Sequence, residues 1–295
     1  MHFELSDLRV FIQVAESPSV TQGARRANLS TAATSARIKS LETQLGARLL
    51  YRDSRGVTLT PAGERLLKHA RVLMRQVACI KEEFSDYGGD LVGHIRIFAN
   101  TTAVTEFLPE VLAGFMAEHP AVTVDLQERL SRDIVRGVLE GAAELGLIAG
   151  PVDAQGLEVI PYSMDRLVLV LPQGHALAQM ASVRLADTLE FPHITYHQGS
   201  TLFDLVTRQV QRLGRTLPLR IQLSSYEAIC RMIESGVGIG IIPESAAQRH
   251  QRTMRLTTLP LAEDWSIRER SVLVHELDAM PGCVRKLVQL FVSPQ

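Results

Sequence analysis

Between Pro61 and Pro109 the chain contains no proline, and within that span Leu66, Ala70, Leu73, Val77, Ile80 and Phe84 follow one another at steps of 4, 3, 4, 3 and 4. That is the a/d seam of a heptad repeat, narrower than the apolar stripe of a helix lying on its own domain. Thr60 and Pro61 supply a cap and a first-turn proline, and Gly88-Gly89 supply an end. The flanks carry Arg65, Lys68, Arg71, Arg75, Lys81, Glu82 and Glu83. The spacing therefore predicts a dimerising linker helix over 61–90, with separate domains at 1–60 and 91–295.

Charge follows the same division. Residues 1–75 hold twelve Lys and Arg against six acids, a charge of +6, leaving nineteen against twenty-six, or −7, for the rest of the 295 residues. A basic segment on an acidic body is the layout of a nucleic-acid reader joined to a part with another task. Three scattered cysteines, Cys79, Cys230 and Cys283, exclude a disulfide scaffold and a zinc site of paired CxxC type. The start, Met1-His2-Phe3-Glu4-Leu5-Ser6-Asp7, has neither a cationic nor an apolar leader region, and no stretch approaches about 18 apolar residues. These features predict a cytoplasmic protein with no membrane partner.

The first sixty residues read as helices around a tight turn. Ser6 is the expected cap of a first helix with Leu8, Phe11, Ile12 and Ala15 on one face, and a second helix fits Thr21 to Ala27. Asn28-Leu29-Ser30 makes the turn; Ser30 caps a third helix with a core face of Ile38, Leu41 and Leu45, ended by Gly46. Its outward residues Thr31, Ala32, Ser35, Arg37 and Lys39 combine small side chains with groups that reach bases and phosphates, which suits the major groove. Leu49 to Leu59 then reads as two short strands around a basic turn, a wing placing Arg52 and Arg55 near phosphates or the minor groove.

The run Leu29-Ser30, Ser35, Ile38, Leu41-Glu42, Leu45-Gly46, Leu49-Leu50, Arg52 and Leu59-Thr60-Pro61-Ala62-Gly63-Glu64 resembles the winged helix-turn-helix of the LysR-type transcriptional regulators. Chain length and the layout after residue 90 are also similar to that family. Where its members commonly carry Gln, and then Ser followed by Arg, this chain has Thr31 and Ser35-Ala36, with the cation displaced to Arg37. The resemblance implies a regulator of double-stranded DNA that pairs as a homodimer through its linker. It further implies assembly to a homotetramer, contact with RNA polymerase, and a two-lobed effector domain of the periplasmic-binding-protein type.

From Gly93 onward short apolar strands alternate with helical patterns: strands at 95–99, 122–126 and 145–149, helices at 106–118 and 131–140. This βαβα order predicts a mostly parallel sheet. A second series follows, with strands at 167–171, 194–196, 221–223 and 239–242 and helices at 201–213 and 226–235. The strand at 271–275 and the helix at 284–292 have no partner of their own and are expected to return to the first unit. This gives lobe I at 91–165 and 267–295, and lobe II at 166–266. Ligands of open α/β sheets bind beyond the carboxyl ends of strands, where helix N-termini point. The matching places are Asn100, Thr101 and Thr102 in one lobe and Gln198, Gly199, Ser200 and Thr201 in the other, with further lining from Ser131, Arg132 and Gly150. Helix capping by Thr102 and Ser200 explains each place singly; their matching positions favour one cleft for a small, anionic effector.

Enzymatic readings find little support. No GxSxG, HExxH or P-loop occurs, no cofactor is implied, and the glycines at 236, 238 and 240 precede Ile241-Ile242-Pro243 rather than a helix. His193 and His197 lie four apart but on an expected strand, too far apart for one ion. A redox role for Cys230 or Cys283 stays open. The rival reading is an anion-binding or enzymatic α/β module whose N-terminal domain serves only assembly.

Overall fold

The computed structural model describes residues 3–53, 56–85 and 91–292, with side chains throughout except at 52, 53 and 81–85. Arg55, Gly88-Gly89 and the side chains of Arg52 and Phe84 therefore lie outside the described residues. Two compact units result: residues 1–93 with the short segments 140–142 and 277–285, and the remainder.

The first unit contains α1 (Leu5–Ala15), α2 (Val20–Arg26), α3 (Thr31–Leu45), β1 (Leu50–Asp53), β2 (Gly56–Leu59) and α4 (Pro61–Ser85). Glu4, not Ser6, precedes α1; its N–H donates to Asp7 Oδ2 at 3.0 Å, while Ser6 Oγ donates to Glu4 Oε2 at 3.0 Å. Ser19 Oγ accepts from the Gln22 N–H at 3.2 Å, so α2 begins at Val20 rather than Thr21. In the turn to α3, Asn28 adopts φ 55°, a conformation that Asn tolerates better than most residues. Ser30 Oγ then accepts from the Ala33 N–H at 3.2 Å, capping α3 as expected.

Leu8 and Phe11 of α1, Ile38 and Leu41 of α3, Leu49, Leu50, and Leu67 and Ala70 of α4 form one buried core. This revises the heptad reading. Ala70 is fully buried there and Leu66 packs against it, so the first turns of α4 belong to their own domain. The exposed part of the seam begins later, at Leu73 and Ile80, respectively 47% and 48% exposed, with Val77 half-buried between them. The cause is the packing of α1 on α4. A helix that starts inside a domain needs a wider apolar stripe than one facing a single partner helix.

β1 and β2 pair antiparallel, Leu50 opposite Leu59 and Asp53 opposite Gly56. Glu42 Oε1 accepts from the N–H groups of Leu49 at 2.8 Å and Leu50 at 3.3 Å, tying the wing to α3. Thr60 Oγ1 accepts from the Gly63 N–H at 3.0 Å and donates to the Arg48 carbonyl at 2.6 Å. A Cβ on Gly63 would lie 2.1 Å from the Leu49 carbonyl oxygen, which explains the glycine two places into α4.

The second unit runs β3 (Gly93–Ala99), α5 (Thr101–Glu106), α6 (Leu108–Glu118), β4 (Val122–Glu128), α7 (Ser131–Leu139), β5 (Leu145–Ala149), β6 (Glu158–Pro172), α8 (Leu185–Thr188), β7 (His193–Tyr196) and α9 (Thr201–Arg212). It continues with β8 (Leu219–Leu223), α10 (Tyr226–Glu234), β9 (Gly240–Pro243), α11 (Glu244–Gln251), β10 (Leu256–Pro260), β11 (Ile267–Val274) and, from residue 286 on, α12 (Gly282–Val292). The sheet order is β10-β6-β11-β5-β3-β4, with β9 also on β6 and β7-β8 as a separate pair.

The sheet is mixed rather than mostly parallel. β3–β5 and β7–β8 are parallel, while β11 is antiparallel to both β5 and β6, and β9 and β10 are antiparallel to β6. The two long strands produce this. β6 pairs with β11 from Glu158 to Arg166 and with β9 and β10 from Leu167 to Pro172, so one strand serves both lobes. The strand around 271–275 does return to the first lobe, as β11 against β5. Lobe II holds its own core, from Leu167–Leu171 to Leu259 and Leu261, and a smaller lobe I cluster joins Ile134, Val135, Ile148 and Leu273.

Candidate functional site

On α3, Thr31, Ala32 and Lys39 are exposed and Ser35 is half-buried. Arg37 is placed differently from the expectation. Its Nη1 donates to Asp7 Oδ1 at 2.7 Å and to Ser6 Oγ at 3.1 Å. An arginine held against the start of α1 is a brace inside the domain, because 100° per residue carries position 37 away from the face shared by Ala32, Ala36 and Lys39. Ser35, Ala36 and Lys39 instead border a groove of about 930 Å³, whose other wall is Arg48, Tyr51 and Thr58. Arg48 and Tyr51 are exposed there and were missed in the sequence, where neither sits on a periodic face. The backbone of Arg52 lies opposite Val57 in the wing.

In the second unit, the ends of β3 and β7 lead into α5 and α9, and a cavity of about 300 Å³ opens where these turns meet. Asn100, Thr101, Thr102, Ser200 and Thr201 line it, together with Glu128, Arg129, Tyr196, Tyr226 and Arg268. The expected roles are redistributed. Asn100, not Thr102, caps α5, its Oδ1 accepting from the Ala103 N–H at 2.9 Å. Thr102 is buried and shares a hydrogen bond of 3.1 Å with the Tyr226 hydroxyl. Ser200 does cap α9, accepting from the Phe203 N–H at 3.1 Å. Ser131 and Thr201 share a hydrogen bond of 2.7 Å, a second hydroxyl pair joining the lobes.

Five expected residues are not in the cavity's lining. Ser131 reaches it only through its bond to Thr201, Gly199 lies in the turn before α9, the Arg132 side chain is 78% exposed and lies beside Asp133, Gln198 is exposed, and Gly150 lines a separate hollow with Trp265 and Ile267. Gly199 takes φ 85° in the turn before α9. Helix phase explains Arg132, since the buried side of α7 is Ser131, Ile134, Val135 and Val138.

The cavity's electrostatics are set by burial. Desolvation pushes the Tyr226 and Tyr196 phenols up, so both remain neutral donors. Thr101 Oγ1 donates to the Glu128 carboxylate and lies 3.0 Å from the Tyr196 hydroxyl, which donates to the Ser224 carbonyl at 2.9 Å. Buried Arg268 pairs with buried Asp165, and its Nε has no hydrogen-bond partner. The tyrosines and Arg268 escaped sequence reading because they come from distant segments; Tyr196 alone adjoined a recognised turn.

No metal cluster occurs among the described residues. His193 is buried, its Nε2 3.1 Å from the Thr188 carbonyl, and burial lowers it to about 4. The Cys230 thiol is fully buried and pushed up to about 12, the opposite of a reactive thiolate.

A winged helix-turn-helix joined through a long helix to a two-lobed α/β unit with a hydroxyl-lined cavity is the architecture of a ligand-controlled DNA-binding regulator. Residues 5–64 match the family described as bacterial regulatory helix-turn-helix protein, lysR family, and residues 88–293 match the LysR substrate binding domain. The chain belongs to the LysR family of transcriptional regulators. It is 29% identical over 274 residues to the uncharacterised HTH-type transcriptional regulator YnfL of Escherichia coli, covering 91% of each chain. Among solved structures it is similar to full-length OxyR of Pseudomonas aeruginosa in a cysteine-to-aspartate form, with TM-score 0.79, 21% identity and coverage of 99% and 97%. It is also similar to full-length CbnR complexed with its target DNA, with TM-score 0.65, 22% identity and coverage of 98% and 99%. The chain is thus a DNA-binding transcriptional regulator that responds to a small-molecule effector, and the enzymatic alternative falls. No helix among the described residues is long and apolar enough to cross a membrane.

Proposed function

We propose that the chain acts in the cytoplasm as a homodimer, assembling further to a tetramer, that reads DNA with residues 1–60, pairs through 61–90 and senses a small carboxylate with 91–295. The observation that carries the sensing half is the cavity between the two lobes, closed by the Thr102–Tyr226 and Ser131–Thr201 pairs. A carboxylate placed there meets the N-terminus of α9, neutral hydroxyl donors and the unused Nε of Arg268. Glu128 and Asp133 on the same wall favour a small acid whose remainder is neutral or carries an amine.

On the DNA side, Thr31, Ala32, Ser35 and Lys39 face the major groove, Arg52 and Arg55 of the wing meet phosphates, and Arg48 and Tyr51 extend that surface. Contact with RNA polymerase follows where the bound regulator activates. The test is DNA binding across a salt series, with and without a panel of small carboxylates. Arg52→Ala should weaken binding to all sequences and flatten the log-log salt slope by about one unit. An unchanged slope overturns the wing assignment, and a panel that never alters DNA binding or melting temperature overturns the carboxylate assignment.

A further inference from the structure

The cavity between α5 and α9 has two chemically different ends, and the difference follows from where the hydroxyl hydrogens go. At one end stand Glu128, the last residue of β4, Thr101 and Tyr196. Thr101 Oγ1 donates to Glu128 Oε1; the Tyr196 hydroxyl, 3.4 Å from the same carboxylate oxygen, is 2.9 Å from the Ser224 carbonyl. Two hydroxyl hydrogens are thus spent on two protein acceptors, and both oxygens are left with lone pairs and nothing to donate. Among the described residues no cation pairs with Glu128. The adjacent Arg129 gives Nη1 to the Glu128 carbonyl at 2.9 Å and Nη2 to Gln127 Oε1 at 2.6 Å, while Asp133, the other acid of the lining, lies 4.0 Å from Arg132. An unpaired carboxylate flanked by acceptors is completed by a group with several donors, a positive charge and no lone pair, which is an ammonium.

The other end has hydrogens to give. Thr102 and Tyr226 are two hydroxyls joined by one bond of 3.1 Å, which leaves one hydrogen over; Ser131 and Thr201, joined at 2.7 Å, leave another. Buried Arg268, although paired with Asp165, keeps its Nε without an acceptor. These donors suit a carboxylate. The volume of about 300 Å³ is at the small end for a ligand cavity, and its aliphatic lining is Leu130 and Leu202. We propose, resting on the carboxylate reading of this cavity, that the effector is a zwitterion: an α-amino acid with a short side chain, its ammonium on Glu128 and its carboxylate at Tyr226 and Arg268. An acid with no amine leaves Glu128 charged and unpaired against the ligand, so Glu128 is the residue that selects.

Calorimetric titration of the full-length protein compares L-alanine, L-serine and L-valine with L-lactate, L-glycerate and L-2-hydroxy-3-methylbutanoate, in which a hydroxyl replaces the amine. At least one amino acid should bind, about tenfold or more tightly than its hydroxy acid. The amide of that amino acid, which keeps the ammonium without the carboxylate, should lose as much. Glu128→Gln keeps the shape and removes the charge: amino-acid affinity should fall about tenfold or more, with hydroxy-acid affinity held within about twofold. A carboxylate with a structural role alone would lower both alike, and the melting temperature of the variant reads that loss. Hydroxy acids that bind as tightly as amino acids, or a preference for the amine that survives in Glu128→Gln, overturn the zwitterion and leave the carboxylate reading standing. An amide that binds as well as its acid, or a wild-type chain that binds no acid of either kind, overturns both.

Discussion

The outward face of α3 and the cavity between α5 and α9 are both polar, yet they are assembled in opposite ways. The first comes from residues within one helix, exposed and for the most part free of internal partners, so its shape is fixed by helix geometry and by Glu42 holding the wing. The second is made of hydroxyls that already bond to one another across 124 and 70 positions of sequence, Thr102 to Tyr226 and Thr201 to Ser131. A surface of the first kind waits for its partner. In the second, a ligand must compete with or join existing bonds, so binding and lobe geometry are one equilibrium.

The largest test of this contrast addresses what both regions are proposed to share, pairing through α4. Leu73→Glu with Val77→Glu puts charge into the exposed part of the seam, costing several kcal/mol per dimer, and sedimentation should show monomers with operator binding lost. An intact dimer would mean that these residues face solvent. Next, Tyr226→Phe removes one of the three hydroxyl pairs between the lobes, Thr102–Tyr226, Thr101–Tyr196 and Ser131–Thr201. Effector response in a DNA-binding assay should fall by about one order of magnitude while DNA affinity without effector stays the same. A parallel loss of basal DNA affinity would erase the distinction between the regions. Lys39→Ala should weaken binding to every operator and lower the salt slope by about one unit, leaving effector response alone. Smallest is Ser200→Ala, which deletes a cap: about 1 kcal/mol and a drop in melting temperature of about 2–4 °C for a domain of this size. A much larger loss of effector response than of stability would make Ser200 a ligand contact in its own right.

What could be read in the sequence follows the same contrast. The caps at Ser30 and Ser200, the stop at Gly46 and the 145–149 strand are local, and residue type with spacing locates them. Arg37 failed because an exposed-looking cation on an amphipathic helix does not reveal that Asp7, thirty positions earlier, will hold it. Ala70 failed because a heptad count ignores which neighbour arrives first, here α1. The cavity was located by its two turns but not by its chemistry. Tyr226, Arg268 and Asp165 carry no periodic signal and meet only once β6 and β11 have been paired.

Those two strands also set the order in which the chain can take shape as it is made. β5 leaves the ribosome with one edge unpaired and the first half of β6 without a strand partner, because β11, which pairs with both, begins only at Ile267, after all of lobe II has been made. At about 5–20 residues per second, that leaves lobe I incomplete for roughly 6 to 24 s, while lobe II, whose core residues all fall within 167–261, can close first. Until then the apolar edge of β5 is open to pairing with another chain, and a synonymous slowdown in translation between residues 150 and 267 would lengthen that exposure without altering a single side chain.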